Sequence, residues 1–306
     1  MSLYDLIIIG GGPAGVTAGI YAARQKLNTL LITKDFGGQI ARKSVDVENY
    51  PGFEAISGME LIQKFEKHLR KQKIDIQMVK VRETKKMDSV FFILAENRNQ
   101  FEGRAVIVAS GADPRPLEVP GEKELIGRGV SYCSVCDGPI FSDKTVAIIG
   151  GGNSGVEAAV FMKDIAKKIY LLEYGLELTA DEDNQEKLKK IENVEVVTNV
   201  ALQKIEGKKF VDSIVYKDRK TQKEKILKVQ GVFVEIGSIP ATGFVKGLVD
   251  FNKRDEIKIN SKTCETKTPG LFAAGDVTDV PLKQIVVAAA EGAKAALSAY
   301  KYLQKF

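Results

Sequence analysis

The sequence predicts an α/β fold made of two similar units, because one local pattern of strand, glycine turn and helix occurs twice. The first copy is the predicted buried strand of residues 5–9, apolar from Leu6 to Ile9, followed by a glycine-rich turn at residues 10–15. The second is the run of residues 144–149, followed by a similar turn at residues 150–155. The turns begin at 10 and 150, so the offset is 140 positions. This pattern is typical of Rossmann-like units with parallel sheets.

The bulk composition agrees with a globular protein of two domains. With 306 residues, 44% hydrophobic and 28% charged, the chain is long enough for two cores and shows no sign of disorder. The net charge of +5 is spread along the chain, and the lysine clusters are interleaved with acidic and apolar residues, which argues against a nucleic-acid site. The sequence has no signal-peptide pattern and no apolar run of membrane-spanning length, so we expect a soluble cytoplasmic protein.

Both glycine turns are suited to binding a dinucleotide. Glycines permit a tight turn and let a pyrophosphate approach backbone N–H groups at the positive end of the following helix. The alternative is that the two turns merely pack a helix against a sheet. The residues predicted to bind are Gly10, Gly12, Pro13, Ala14 and Gly15 in the first turn and Gly150, Gly152, Asn153, Ser154 and Gly155 in the second.

The residue that follows the second strand differs between the two units. In the second unit a helix over 155–167 and a strand over 168–172 lead to Glu173, which lies 23 positions past Gly150. A carboxylate there can accept both ribose hydroxyls of NADH and would repel the 2′-phosphate of NADPH, so NADH is favoured. The equivalent position of the first unit is Thr33, so the first turn supports a dinucleotide without identifying which one.

Two later segments favour FAD as the first dinucleotide. Residues 106–111 and 270–276 both have the pattern of a buried strand that ends in a turn of small residues. Asp276, at the end of the second of these strands, can hold ribitol hydroxyls, although by itself it is equally suited to a capping role. The start of the alanine-rich helix near Gln284 can stabilise electron density on a flavin ring.

The order of these segments indicates that one domain is inserted into the other. Residues 1–112 and 244–306 are predicted to form a discontinuous FAD-binding domain, and residues 113–243 an inserted NAD(P)H-binding domain. Prolines and glycines within 113–116 and 237–243 suit a two-stranded hinge between the domains.

The inserted domain carries a Cys-x-x-Cys pair, Cys133 and Cys136, directly followed by Asp137. Such a pair can close a small disulfide ring, and both its oxidised and reduced states are accessible to thiol exchange. Zinc is disfavoured because only Cys264 and His68 remain as further ligands, and His68 lies in an amphipathic run where a surface position is expected. The same spacing is also compatible with a purely structural disulfide or with two inert thiols.

Together these motifs resemble the low-molecular-weight thioredoxin reductase family, over essentially the whole chain. The resemblance implies an FAD-containing homodimer in which reduced flavin passes electrons to the cysteine pair, and the dithiol reduces a thioredoxin-like protein. It is carried by residues 10–15, 37–39, 48–52, 133–137, 150–155, 275–276 and 283–285. We therefore expect further cofactor contacts from Gly38, Gln39, Asn49, Gly111, Gly237, Gly275, Asp276, Lys283, Gln284 and Ile285.

The resemblance also implies roles for the three residues of the redox motif. Cys136, which is nearer Asp137, looks like the thiol that interacts with the flavin, and Cys133 looks like the thiol that attacks the partner disulfide. Asp137 looks like the general acid/base, with a loop cap beside the cysteines as its structural alternative.

The chain departs from the NADPH-using members of that family. Those members resemble one another in a His-Arg-Arg cluster after the second strand of the inserted domain, whereas residues 173–179 here contain no basic residue. In residues 136–140, 171–174, 216–219 and 280–285 the chain looks like the catalytic part of the alkyl hydroperoxide reductase flavoprotein, which uses NADH. That flavoprotein carries an extra N-terminal thioredoxin-like domain, and this sequence begins directly at the first FAD strand. We therefore expect a separate thioredoxin- or glutaredoxin-like acceptor, one able to feed a peroxiredoxin.

The leading hypothesis is an NADH-preferring, FAD-dependent thioredoxin-disulfide reductase. A second hypothesis keeps the flavin and the cysteines but takes electrons from a ferredoxin or another donor, although the intact second turn and Glu173 argue against it. A third is an alkyl hydroperoxide reductase-type flavoprotein that serves a peroxiredoxin system. A different class of protein would be a flavin-binding redox sensor whose cysteine pair reports the redox state without turnover.

Overall fold

The computed structural model describes residues 3–42 and 46–305, and the chain divides into two compact units. Unit 1 is Met1–Asp113 with Ser238–Phe306, and unit 2 is Pro114–Gly237. The strands, in chain order, are β1 (Leu3–Gly11), β2 (Thr29–Phe36), β3 (Asp46–Val47), β4 (Ile56–Ser57), β5 (Asp75–Met78), β6 (Val81–Met87), β7 (Val90–Ala95), β8 (Gln100–Val108), β9 (Ala112–Pro114), β10 (Val130–Ser131), β11 (Thr145–Ile149), β12 (Lys168–Leu172), β13 (Val194–Val197), β14 (Val200–Glu206), β15 (Ser213–Asp218), β16 (Glu224–Lys228), β17 (Gly231–Val234), β18 (Ser238–Pro240) and β19 (Leu271–Ala273). The helices are α1 (Pro13–Arg24), α2 (Gln39–Arg42), α3 (Gly58–Arg70), α4 (Ser134–Asp137), α5 (Asn153–Met162), α6 (Glu182–Lys189) and α7 (Ile285–Leu303), with 3-10 helices at Gly138–Phe141 and Gly243–Val245.

Unit 1 is built on a sheet whose parallel strands have the order β5-β2-β1-β8-β19. β7 pairs antiparallel with the first half of β8, and β6 pairs antiparallel with β7. Along β1, Leu6 and Ile8 pack into the core formed with α1 and α7, whereas Ile7 and Ile9 pack into a second core on the opposite face. Burial on both faces explains why β1 is a continuous apolar run without alternation.

Unit 2 is built on a parallel sheet with the order β13-β12-β11-β17-β10. A separate antiparallel sheet is formed by β14, β15 and β16. Along β11, Val146 and Ile148 pack toward α5 and α6, and Ala147 and Ile149 pack toward the antiparallel sheet. Each unit therefore has its own two-sided core.

The two parallel cores share one register at the predicted offset of 140. In unit 1 Leu6 pairs with Thr29 across β1 and β2, and in unit 2 Val146 pairs with Ile169 across β11 and β12. The next strand beyond β1 is β8, and the next beyond β11 is β17, so chain order reverses at the same place in both sheets. The predicted α/β fold with two Rossmann-like units is confirmed. Ligands of such sheets bind at the carboxyl ends of the strands beside this reversal.

The structure corrects the length of one predicted helix. The helix expected over 155–167 is α5, which ends at Met162. Asn193 Nδ2 donates to the carbonyl oxygens of Lys163 at 2.8 Å and Ala166 at 2.9 Å. The side chain of a residue distant in sequence thus satisfies carbonyl groups at the place where the helix ends. No local sequence pattern predicts this end of the helix.

The remaining boundaries are as follows. The chain passes between the compact units at 113/114 and 237/238, where the sequence pattern places the crossings at 112/113 and 243/244. β9 and β18 form a two-stranded sheet.

His68 lies exposed on α3. Across the described residues, no helix combines the length and the apolar character needed to cross a membrane.

Candidate functional site

Cys133 and Cys136 form a disulfide at the beginning of the one-turn helix α4. Cys133 is the N-cap of this helix, and its Sγ accepts the backbone N–H of Cys136 at 3.2 Å. Cys133 is half-buried and Cys136 is exposed. A sulfur that faces a backbone N–H at a helix start is suited to stabilisation as a thiolate after reduction.

Asp137 directly follows Cys136 in the chain and is buried, and a serine hydroxyl holds its carboxylate. Ser131 Oγ donates to Asp137 Oδ2 at 2.5 Å and accepts the backbone N–H of Cys133 at 3.0 Å. The backbone N–H of Asp137 donates to Cys133 O at 3.1 Å. Sequence reasoning misses Ser131, although a polar residue at the end of a buried strand two positions before the first cysteine is a usable signal. These hydrogen bonds hold a carboxyl group in place at the residue directly after the cysteine pair.

A second buried carboxylate anchors the segment that leads into the cysteine pair. Glu122 is fully buried and accepts the backbone N–H groups of Leu117 and Glu118, both at 2.7 Å. It also accepts the hydroxyl of Tyr132 at 2.6 Å, and Tyr132 directly precedes Cys133. Burial, together with this hydrogen bond, raises the pKa of Tyr132, so its hydroxyl stays a donor. Nothing in the local sequence identifies Glu122.

The glycines of the first turn meet different physical requirements. Gly10 has φ +121°, and a Cβ there would lie 2.1 Å from the carbonyl oxygen of Ala109. A Cβ at Gly15 would lie 1.9 Å from the carbonyl oxygen of Gly10. Gly12, in contrast, is the N-cap of α1 with φ −77°, and apart from its two chain neighbours no atom of the described residues lies within 4 Å of its Cβ position. Open space before a helix start without a side-chain cap is room for a phosphate.

The other residues predicted for the first site lie around the carboxyl ends of the parallel strands of unit 1. Gln39 Nε2 donates to Asp276 Oδ2 at 3.4 Å and to Ala112 O, so residues 237 positions apart meet. Asn49 Nδ2 donates to Gln284 Oε1 at 3.2 Å. The remaining members are Pro13 and Ala14 in the first turn of α1, Gly38 just before α2, Gly111 after β8, Gly275 after β19, and Ile285 at the first position of α7.

The ammonium group of Lys283 makes an ion pair and a hydrogen bond within unit 1. Its Nζ lies 3.0 Å from Glu256 Oε1 and donates to Thr278 O. Glu256 is buried, and it also accepts Asn252 Nδ2 at 2.6 Å. The ammonium group therefore holds the loop that joins β19 to α7, and the sequence motif alone does not reveal Glu256 as its partner.

Glu291 of α7 is a buried carboxyl group beside the glycine turn that follows β19. Its Oε2 accepts the backbone N–H of Gly275 at 2.6 Å and lies 3.5 Å from Thr278 Oγ1. Burial raises the pKa of Glu291 above its ordinary value of 4.5. The signal that could have identified it is a single acid within a helical stretch of small residues.

The second glycine turn repeats the geometry of the first. Gly150 has φ +120°, and a Cβ there would lie 2.4 Å from the carbonyl oxygen of Glu235. A Cβ at Gly155 would lie 1.8 Å from the carbonyl oxygen of Gly150. Gly152 is the N-cap of α5, and within the described chain only Thr179 Oγ1, at 3.7 Å, lies near its Cβ position. This turn also leaves room for a phosphate at a helix start.

Glu173 follows β12 directly, next to the second turn. Its Oε2 accepts the Gly151 N–H and its Oε1 accepts the Gly175 N–H, each at 2.5 Å. Asn153 is engaged by Asp181, which accepts its Nδ2 at 2.7 Å and donates an N–H to its Oδ1 at 2.7 Å. Asn153 therefore ties the turn to the start of α6. The other predicted members are Ser154 in the first turn of α5 and Gly237, with φ +96°, after β17.

Comparisons with known proteins agree with this geometry. Residues 4–292 match the family described as pyridine nucleotide-disulphide oxidoreductase. The chain is 41% identical to the NADH dehydrogenase of Bacillus subtilis over 300 residues, and 41% identical to the F subunit of the alkyl hydroperoxide reductase of Pseudomonas aeruginosa over 305 residues. Each match covers 98% of this chain, and the chain spans 58% of the length of each relative.

Two solved structures of thioredoxin reductases extend the similarity to the complete fold. The enzyme from Giardia duodenalis has a TM-score of 0.95 at 32% identity, covering 99% of this chain and 100% of that one. The enzyme from Streptococcus pyogenes has a TM-score of 0.92 at 36% identity, covering 99% of both chains. Because the family match extends over nearly all of the sequence, the chain belongs to the pyridine nucleotide-disulphide oxidoreductase family.

Proposed function

We propose that the protein is a flavoprotein disulfide reductase that passes electrons from NADH through FAD and the Cys133–Cys136 disulfide to a thioredoxin- or glutaredoxin-like protein. The observation that carries the proposal is a disulfide that is followed, at the next residue, by a buried and hydrogen-bonded carboxyl group. The same chain holds two glycine turns that are open at a helix start. The resemblance to thioredoxin reductases over 99% of the chain supports it further.

Unit 1 has the features that FAD requires, and we assign FAD to it. The Cβ positions of Gly12, Gly38 and Gly111 meet no described atom within 4 Å, so a ligand can approach the backbone at all three. The start of α1 offers N–H groups to a pyrophosphate, and α7 begins after Gln284 without a side-chain cap, which suits the electron-rich end of a flavin. The Asp276 carboxylate suits ribitol hydroxyls. When bound, FAD takes two electrons from a nicotinamide and delivers them to a disulfide.

We assign the nicotinamide nucleotide to unit 2, with a preference for NADH. The open position at Gly152 and the start of α5 suit the pyrophosphate. The Glu173 carboxylate, oriented by the N–H groups of Gly151 and Gly175, suits the hydroxyls of the adenosine ribose. The 2′-phosphate of NADPH would bring close to two further negative charges beside that carboxylate, which opposes its binding.

The reduced cysteine pair would act by thiol–disulfide exchange. Cys133, as a thiolate, attacks the acceptor disulfide and forms a mixed disulfide. Cys136 then attacks the Cys133 sulfur, which releases the acceptor as a dithiol with both electrons and re-forms the Cys133–Cys136 disulfide. Asp137 accepts or returns the proton of the Cys136 thiol, and Ser131 keeps the carboxyl group in place.

Anaerobic titration of the flavin with NADH and NADPH, followed by steady-state assays with a thioredoxin, tests this proposal. We expect a yellow protein that NADH bleaches rapidly. Cys133→Ser and Cys136→Ser should each abolish disulfide reduction while flavin reduction by NADH survives. Cys264→Ser should keep full turnover, because Cys264 is buried and burial raises its pKa to about 11, which keeps it a thiol.

Two results would count against the proposed function. A flavin that neither nucleotide reduces would indicate ferredoxin or another donor. Loss of turnover in Cys264→Ser alone would show that the assignment of the redox pair is wrong.

The identity to the F subunit of alkyl hydroperoxide reductase favours a second candidate, in which the reduced carrier serves a peroxiredoxin. An assay that contains the protein, NADH, a thioredoxin- or glutaredoxin-like carrier and a peroxiredoxin tests it. Peroxide-dependent NADH oxidation that stops when the carrier is omitted would support this role. We also propose a homodimer, which light scattering of the purified protein would reveal.

A further inference from the structure

A stacked pair of side chains lies directly beside the ribose-binding carboxylate proposed at Glu173. Tyr174 is the next residue along the chain, and its side chain is 61% exposed. Arg219, from the turn after β15, places its Cζ 3.9 Å from the centroid of the Tyr174 ring. Residues 45 positions apart thus meet at the end of β12.

Hydrogen bonds hold the guanidinium group in this place. Arg219 Nη1 donates to Tyr174 O at 2.9 Å and lies 3.4 Å from Asn199 Oδ1. Asn199 donates its N–H to Gly175 O at 2.7 Å, and its carbonyl accepts the Arg219 N–H at 2.9 Å. The pair is therefore tied to the same backbone segment as Glu173. The guanidinium covers one face of the ring, and the high exposure of Tyr174 leaves the other face to solvent.

An exposed and rigidly held ring at this position matches one part of the expected nucleotide. Adenine is joined to the ribose whose hydroxyls a carboxylate at Glu173 would accept, so the base lies next to that carboxylate. Aromatic rings bind bases by stacking, and a cation behind the ring orients it and adds attraction. The hydrogen bond from Arg219 Nη1 to the Tyr174 carbonyl oxygen holds the guanidinium group against the ring.

We propose that the open face of Tyr174 stacks on the adenine of the nicotinamide nucleotide, with Arg219 as the residue that positions the ring. This inference rests on the proposed function, in which unit 2 binds that nucleotide. Stacking on adenine would strengthen the binding of NADH and NADPH equally, because both contain adenine. The discrimination between the two nucleotides would remain with Glu173. The segment 173–179 contains no basic residue, and the fold supplies one from position 219.

Calorimetric titration of the purified holoprotein with ADP-ribose measures this contact without turnover. Tyr174→Ala should weaken ADP-ribose binding about 10-fold, and Tyr174→Phe should keep the affinity within about twofold, because the ring is what stacks. Phe210→Ala is the matched control. Phe210 is 59% exposed with Lys209 Nζ 5.6 Å from its ring centroid, and it lies before β15, at the opposite end from Arg219.

A second variant separates positioning of the ring from binding of a phosphate. Arg219→Ala should weaken ADP-ribose and 2′-phospho-ADP-ribose by the same factor, smaller than that of Tyr174→Ala. Reduced nicotinamide mononucleotide, which has no adenosine, should reduce the flavin of wild type and Tyr174→Ala at equal rates.

Unchanged ADP-ribose affinity in Tyr174→Ala would overturn the inference. So would a loss confined to the 2′-phosphate derivative in Arg219→Ala, because that result would make Arg219 a phosphate ligand. If the wild-type protein bound no ADP-ribose, and neither NADH nor reduced nicotinamide mononucleotide reduced its flavin, the proposed function would be overturned. The stacking of Tyr174 on adenine would be overturned with it. That outcome differs from failure of the inference alone, in which wild type and Tyr174→Ala both bind normally.

Discussion

A single hydroxyl group connects the acid to the cysteines at the residue scale. Ser131 donates to the Asp137 carboxylate and accepts the Cys133 N–H, so movement of the carboxyl group is restricted relative to the reactive pair. Asp137 is 8% exposed, and a carboxyl group so little in contact with bulk solvent depends on such contacts for its orientation.

Substitutions at these two positions should lower turnover to different extents. Asp137→Asn removes the proposed proton-transfer group, so we expect up to about a 10²-fold loss in disulfide reduction, with flavin reduction by NADH retained. Ser131→Ala keeps the acid but removes one hydrogen bond to it, so we expect a loss of about 10-fold. Steady-state kcat across pH measures both, and Ser142→Ala, the same change at an exposed serine, is the control. Normal turnover of Asp137→Asn at every pH would leave Asp137 as a loop cap.

In the proposed function, one residue also decides nucleotide preference. A Glu173 carboxylate that accepts the ribose hydroxyls of NADH would oppose a 2′-phosphate, so we expect kcat/KM to favour NADH by about 10-fold to 100-fold. Glu173→Gln should narrow this ratio. Glu173→His with Tyr174→Arg and Gly175→Arg should move it toward NADPH. The ratio of kcat/KM values for the two nucleotides is the measurement, and a wild-type preference for NADPH would refute the role of Glu173.

At the scale of elements, we propose that each glycine turn and the helix that follows it form a separate dinucleotide-binding site. The first and last glycines of each turn are packed against backbone oxygen atoms, and the N-cap glycine faces open space. A methyl group at the N-cap should therefore leave the fold intact and obstruct only a ligand.

The two N-cap positions provide matched tests of this idea. Gly12→Ala should reduce the flavin content and lower the free energy of unfolding of the apoprotein by no more than about 1 kcal/mol, the usual cost of alanine at an N-cap. Gly152→Ala should keep the flavin and weaken ADP-ribose binding. Gly15→Ala, whose Cβ would lie 1.9 Å from the Gly10 carbonyl oxygen, should destabilise the protein. Flavin absorbance after gel filtration and urea unfolding measure these effects. Full flavin content in Gly12→Ala would place the pyrophosphate elsewhere.

At the scale of the whole molecule, burial of Glu291 couples stability to pH. Its pKa is raised above 4.5 in the folded protein, so folding favours the protonated form. This contribution to stability is complete below about pH 4.5 and is lost as the pH rises through the raised pKa. Glu291→Gln, which has no charge at any pH, should therefore become more stable relative to wild type as the pH increases.

Urea unfolding of wild type and Glu291→Gln between about pH 4 and pH 8 measures this change. Glu124→Gln, the same substitution at an exposed position, should show no such trend relative to wild type. A difference in unfolding free energy between wild type and Glu291→Gln that is constant across this range would contradict the assignment.

The repeated α/β units were predictable because their signals are local. Residues 6–9 are apolar at every position because the strand is covered on both faces, and glycine at position 15 is required by its contact with Gly10 within the same turn. The place of Glu173 followed from counting residues along one unit. Each of these features is specified within a stretch of about 25 residues, where the hydrophobic pattern and the glycines indicate the strand, turn and helix directly.

The sequence by itself determined the fold class, the two glycine turns, the cysteine motif and the acid after β12. Only the tertiary structure decided that Glu256 pairs with Lys283 and that Arg219 covers one face of Tyr174. The early end of α5 was also decided only by the tertiary structure, because the side chain of the distant Asn193 satisfies the carbonyl groups that follow the helix. The physical reason is that a local motif is specified by backbone conformation and burial, whereas a side-chain pair between distant segments depends on strand order, register and loop path together.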